Sequence, residues 1–209
     1  MRTVVVAVIA LLGGCLVPQS RLDQQKLETD SCYAALEREN KNKHELASTV
    51  VELEKKNETY DELVSSLQDE MKQKLIEVKR QGQRVTVNVS DQVLFDSGSA
   101  EVKTAGQTAL DKIAHVLAKV SDRRIDVEGH TDNLKVSPEL ARTFPSNWEL
   151  SAARATTVVR YLEARGVNPK RMAAVGKSEF RPVAANSTPA GRQLNRRIEI
   201  VLTPWDGER

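Results

Sequence analysis

The sequence predicts an α+β protein: a long N-terminal helical, coiled-coil-like stalk, followed by a domain with helices packed on one face of a small mixed β-sheet. Two changes of texture predict it. Residues 21–80 contain neither Gly nor Pro and are rich in Glu, Lys, Gln and Leu, which favours uninterrupted helix. From Gly82 onward, short alternating apolar segments and amphipathic runs follow one another between polar turns, the pattern of strands and helices sharing one core. With 209 residues, 29% charged and 4% aromatic, the chain has material for one modest core plus an extended element. A net charge of +2, with only a mild basic bias beyond residue 80, carries no electrostatic footprint for nucleic acid.

The N-terminus, MRTVVVAVIALLGGC, has one basic residue, an apolar run from Val4 to Leu12 and two glycines before Cys15, the layout of an export signal. The run is too short to span a bilayer. The stretch LGGC resembles a bacterial lipobox, which implies cleavage after residue 14, a lipid on Cys15 and membrane attachment through that lipid. Leu16 is not the acidic residue that retains such lipoproteins at the inner membrane, so the resemblance implies the periplasmic face of the outer membrane.

Along residues 46–78 the positions Leu46, Val50, Leu53, Asn57, Tyr60, Val64, Leu67, Met71, Lys74 and Val78 recur at alternating spacings of four and three, a heptad seam. With Leu46 at d, Asn57 falls at an a position, where a buried amide fixes register and favours two strands. The segment 15–81 is therefore expected to be a stalk able to pair with a second copy, or else a lone spacer helix. Roughly sixty helical residues at about 1.5 Å each would reach on the order of 90 Å. Cys32, at a d position if the heptads continue upstream, is expected either to bridge two such stalks or to stay a free thiol.

In the domain expected at 82–209, RVTVNV alternates as a strand, LFDSGSAEVKTAGQTALDKIAHVLAKV closes a strand and enters a helix, and RIDVEGHTDN is a strand running into a polar turn. RMAAVG and RRIEIVL supply further short strands. Between them, PSNWELSAARATTVVRYL opens with Ser146 followed three residues later by Glu149, a capping box, and the helix stops at Gly166. Ser151, Ala155, Val158, Val159 and Leu162 share its apolar face, and Leu150, Arg154 and Tyr161 lie on that face's shoulder. Arg154 is thus expected at the edge of the core, and on position alone it reads as a snorkelling or surface-paired arginine.

VLFDSGSAEV, VEGHTDN, NWELSAARATTVVRYLEARGV and GRQLNRRIEIVL, in this order over residues 84–203, resemble the OmpA-like C-terminal domain, the peptidoglycan-binding module shared by OmpA, Pal and the flagellar stator protein MotB. The resemblance implies a non-enzymatic lipoprotein that holds diaminopimelate-type stem peptides of peptidoglycan. It implies that Asp132 takes the amine of the diamino acid and Arg154 its carboxylate, with Asn147, Leu150, Asp96 and the closing NRR, above all Arg197, lining the groove. An aspartate and an arginine suit a zwitterionic centre on chemical grounds too, since both make charge-assisted hydrogen bonds and the guanidinium is a planar fork. The insertion LKVSPELARTFPS at 134–146 is longer than in most OmpA and Pal relatives and more like MotB, which keeps open a motility-associated anchor.

Other function classes fit less well. A cell-wall hydrolase needs a positioned nucleophile, metal or pair of carboxylates, whereas Asp132 with Arg154 makes a binding pair. His130 has no second His, Cys or carboxylate at metal-ligand spacing, so it is expected to be structural, and neither a metal nor another cofactor is expected.

Overall fold

The computed structural model describes residues 18–205, the side chains of 52–57 excepted. Residues 1–14, Cys15 and the side chains of Leu53 and Asn57 therefore lie outside the described residues. The chain divides into two compact units, up to Glu52 and from Leu53 onward. One 48-residue helix, α1 (Gln19–Ser66), opens the described chain, as a Gly- and Pro-free stretch should. In the first unit it exposes Leu22, Leu27, Tyr33, Leu36, Leu46, Val50 and Val51, and Cys32 is a free, exposed thiol. Among the described residues no helix is long and apolar enough to cross a membrane.

The heptad seam needs correction at its C-terminal end. Helix α1 stops at Ser66, a one-turn helix α2 (Gln68–Lys72) follows, and Lys74 turns the chain with φ of 58°. Residues Ile76–Gln81 then form strand β1. In I-E-V the apolar β-branched residues alternate, and a pleated strand buries both Ile76 and Val78 where a helix would split them. Leu63 and Leu67 are fully buried in the second unit's core, with Tyr60, Val64 and Met71 packed against it. Lys112 and Lys119 reach Glu70 and Glu62, each at 2.6 Å. The apolar positions from 60 to 71 are thus occupied by the chain's own domain instead of a second helix, and that domain begins well before residue 82.

Strand β1 pairs antiparallel with β2 (Arg84–Ser90), which runs into a short helix, α3 (Asp91–Leu94). Helix α4 (Thr104–Lys119), strand β3 (Arg123–His130), helix α5 (Asn147–Ala164), strand β4 (Met172–Gly176), helix α6 (Pro189–Asn195) and strand β5 (Arg197–Pro204) complete the unit. The sheet order is β1-β2-β5-β3-β4; only β3 and β4 are parallel, joined across α5. Val85, Val87 and Val89 of β2, Ile125 and Val127 of β3, and Ile198, Ile200 and Leu202 of β5 form the inward face, covered by Leu110, Ile113 and Leu117 of α4 and Val158 and Leu162 of α5. This is the predicted arrangement of two main helices against a mixed sheet; α3, α6 and β1 are additions to it.

Candidate functional site

Helix α5 starts where its capping box directs: Ser146 Oγ accepts from Trp148 N–H, and Glu149 accepts from Ser146 N–H. Its small residues explain how close it lies to the sheet. Gly129 and Gly176 face each other across β3 and β4, and a Cβ at Gly129 would overlap the carbonyl oxygen of Ser151. Ser151 Oγ in turn accepts from Ser178 N–H at 3.1 Å. This close approach fixes the rotation of α5, and with it the direction of Asn147, Leu150 and Arg154, which all face a cavity of about 390 Å³.

Three segments complete the cavity wall. Asp91, Gln92 and Phe95 come from α3 and its end, Thr131 and Asp132 from the turn after β3, and Leu134 to Ser137 with Leu140 from the 134–146 insertion. Arg196, just ahead of β5, closes the ring. The insertion is therefore a wall of the cavity.

Two ion pairs line it. Arg154 Nη1 meets Asp91 Oδ1 at 2.6 Å, its Nε donates to the Ser99 carbonyl at 2.9 Å, and its guanidinium sits 5.0 Å from the centre of the Phe95 ring. Arg196 Nη1 pairs with Asp132 Oδ2, while Asp132 Oδ1 accepts from Leu134 N–H at 3.0 Å. Asn147 Nδ2 ties the wall together by donating to the carbonyls of Asp132 and Leu134 and to Glu179. Thr131 Oγ1 is buried in the same lining without a hydrogen-bond partner. Burial raises the Asp91 carboxyl above its ordinary value, opposed chiefly by the Arg154 charge, and burial likewise lowers Arg154. Two carboxylates and two guanidiniums balance in charge.

Asp132 and Arg154 thus share one cavity with Asn147 and Leu150, but the expected depth of Arg154 changes. Both are buried, at 5% and 4% exposure, so Arg154 is not at the core's edge; Arg154 pairs with Asp91 and Asp132 with Arg196. The two remaining candidates lie elsewhere. The Asp96 side chain is 79% exposed and faces Lys103 at 3.9 Å. Arg197 is the first residue of β5, and its guanidinium reaches Glu199 at 2.7 Å along the same strand face, with further bonds to the carbonyls of Asn195 and Arg181. A one-residue step along a strand reverses the face, so of the arginines in NRR only Arg196 can enter the cavity.

Asp91 escaped sequence reading because it precedes the quoted motif and nothing in its neighbours marks it as buried. Its signal is the position of an acid at the first turn of a short helix directly after a β-alternating run.

On the other sheet face, Glu128, His130 and Glu199 offer ligand atoms within 4.8 Å of one another, a grouping that linear spacing did not indicate. Lys177 lies 3.6 Å from Glu128, and Arg197 binds Glu199, so both carboxylates already have cationic partners that a metal ion would have to displace. His130 is 3% exposed and held neutral, its pKa pushed down to about 4 by burial and by the Arg197 and Lys177 charges against the opposing pull of Glu199.

Comparison with known proteins places this geometry. The probable lipoprotein YiaD of Escherichia coli (strain K12) is 35% identical over 138 residues, 66% of this chain and 60% of that protein. Motility protein B of Bacillus subtilis (strain 168) is 32% identical over 139 residues, 66% of this chain and 52% of that protein. The chain spans between about half and three fifths of these relatives' lengths. A solved structure described as the cell wall anchor of the T6SS from Pseudomonas aeruginosa is 36% identical with a TM-score of 0.63, covering 68% of this chain and 97% of that one. The OmpA family model matches residues 94–196, which include Asp132, Asn147, Arg154 and Arg196, and the chain belongs to the OmpA family.

Proposed function

We propose that this chain is a lipid-anchored, non-enzymatic tether that binds peptidoglycan stem peptides in the cavity between α3, α5 and the turn after β3. The observation that carries the reading is the pair of charge-balanced ion pairs, Asp91–Arg154 and Asp132–Arg196, beside the unpartnered Thr131 hydroxyl in one cavity. A diamino acid such as diaminopimelate presents an ammonium and a carboxylate on one carbon. Such a zwitterion trades internal pairs for intermolecular ones without leaving a net buried charge, which a singly charged ligand cannot do. Asp132 takes the ammonium, and the carboxylate goes to Arg154, whose Nη2 makes no hydrogen bond among the described residues, together with the half-exposed Arg196. Leu150 and Phe95 supply the apolar wall for the side-chain methylenes.

Binding to isolated sacculi tests this. Asp132→Asn keeps the shape and the backbone bond but removes the anion, and should weaken binding by about 30-fold or more, as for truncation of a buried charged contact. Normal sedimentation of folded Asp132→Asn protein with sacculi would overturn the assignment. The lipid anchor rests on LGGC and on likeness to a probable lipoprotein. Cys15→Ser should release the chain from membranes, and unchanged fractionation would end that part of the reading.

A motility-associated anchor is the second reading, favoured by the 134–146 wall and by the likeness to motility protein B. Separation of inner from outer membranes distinguishes the two, the leading reading requiring the outer membrane.

A further inference from the structure

Trp148 and Phe180 are 51% and 60% exposed, and their rings lie 5.5 Å apart, tilted by 32°. Neither lines the ion-paired cavity, yet both belong to segments tied to the lining residues Asn147 and Thr131. Trp148 follows Asn147 and is fixed by its N–H bond to the capping Ser146. Phe180 lies two residues after Ser178, whose φ of 54° is rare for a residue with a side chain. That strained turn is pinned on both sides: Ser178 N–H donates to Ser151 Oγ, and its carbonyl accepts from Thr131 N–H. Glu179, between them, accepts from Asn147 Nδ2 at 2.7 Å. The pair and the cavity therefore share one wall through Asn147, Glu179 and Thr131. Strain and an exposed apolar surface persisting side by side at a cavity rim are features that folding alone does not favour.

We propose that Trp148 and Phe180 form a stacking platform for one N-acetylhexosamine ring of the glycan from which the bound stem peptide hangs. The inference rests on the stem-peptide reading of the cavity. A pyranose ring presents a face of C–H groups, apolar and slightly positive, which complements the negative face of an aromatic ring. The ring attached to a stem peptide is about three residues from its diamino acid, on the order of 10 Å of extended chain. That reach suits a platform one residue beyond the cavity wall.

The test uses the full chain and two probes from diaminopimelate-type peptidoglycan: the disaccharide–tetrapeptide, and the same tetrapeptide freed of sugar. Wild type should bind the sugar-bearing probe about tenfold more tightly, the order expected for one apolar face buried on aromatic rings. Trp148→Ala and Phe180→Ala should each erase that preference while leaving affinity for the sugar-free peptide within about twofold. In a Trp205→Phe background, where Trp148 is the sole tryptophan, its emission should shift with the sugar-bearing probe alone. Equal affinity of wild type for the two probes, or a preference surviving both substitutions, overturns the platform and leaves the cavity reading standing. Failure of wild type to bind either probe overturns the cavity reading and the platform with it.

Discussion

Replacing Arg154 by Ala tests the groove's construction before it tests binding. The Arg154 and Asp91 side chains are 5% and 12% exposed and meet at 2.6 Å, so the substitution leaves a largely buried carboxylate with its main counter-charge gone. Removing one partner of a buried pair costs about 3–5 kcal/mol, and the lost guanidinium–Phe95 contact adds to it. For a domain of this size each kcal/mol lowers Tm by about 2–4 °C, so Arg154→Ala should melt about 6–20 °C below wild type at pH 7. Acidity should close part of the gap. Burial already raises the Asp91 carboxyl, and without Arg154 it rises further, so the folded variant binds a proton that the unfolded chain does not. The variant's relative stability should therefore recover as pH falls from 7 toward the unfolded-state value of 3.8. Asp91→Asn combined with Arg154→Met, which removes both charges, should restore most of the loss at pH 7. Circular dichroism melts across pH provide the measurement. An Arg154→Ala protein melting within about 2 °C of wild type at pH 7 would refute the buried-pair argument. Loss of peptidoglycan binding in that variant is consequently weak evidence for a direct contact, whereas Asp132→Asn, which leaves only the part-exposed Arg196 without its partner, is a better probe.

Two further outcomes follow from the core. His130 is neutral in the fold, with a pKa near 4 against 6.5 unfolded, so the unfolded chain takes up the proton first and stability should fall as pH drops from about 6.5 to 4, by on the order of 3 kcal/mol. The groups facing it, Glu128, Glu199, Arg197 and Lys177, remain in His130→Gln, so urea midpoints of that variant should lose this part of the slope, and an unchanged slope would show that other groups carry it. A fragment of residues 82–209 lacks Leu63, Leu67, Ile76 and Val78, all buried, at about 1.5–3 kcal/mol each, a sum comparable to the whole stability of an ordinary domain. It should fail to melt cooperatively while 53–209 does; matching melts would show that β1 and the end of α1 contribute little.

Elements whose signals are local were legible in the amino-acid order. The Gly- and Pro-free run specified a long helix, the capping box placed the start of α5 at Asn147, and the alternation of RVTVNV and RRIEIVL marked two central strands. GHTDN and ELSAARA pointed to Asp132 and Arg154 only through the family resemblance they carry, and the two residues do share a cavity. Features that depend on a second segment of chain emerged only on folding. Apolar positions at 60–71 satisfy a heptad pattern and a domain surface equally well, because both ask only for one apolar stripe, and packing against the sheet unit settled the choice. Residues 76–81 follow a helical stretch without a break in composition, and became a strand because β2 offered an unpaired edge. The partners of Arg154 and Asp132 were invisible for the same reason: Asp91 lies 63 positions from Arg154, and Arg196 lies 64 from Asp132. Charges so far apart in the chain are joined only by the sheet order and by the close approach of α5 over Gly129 and Gly176.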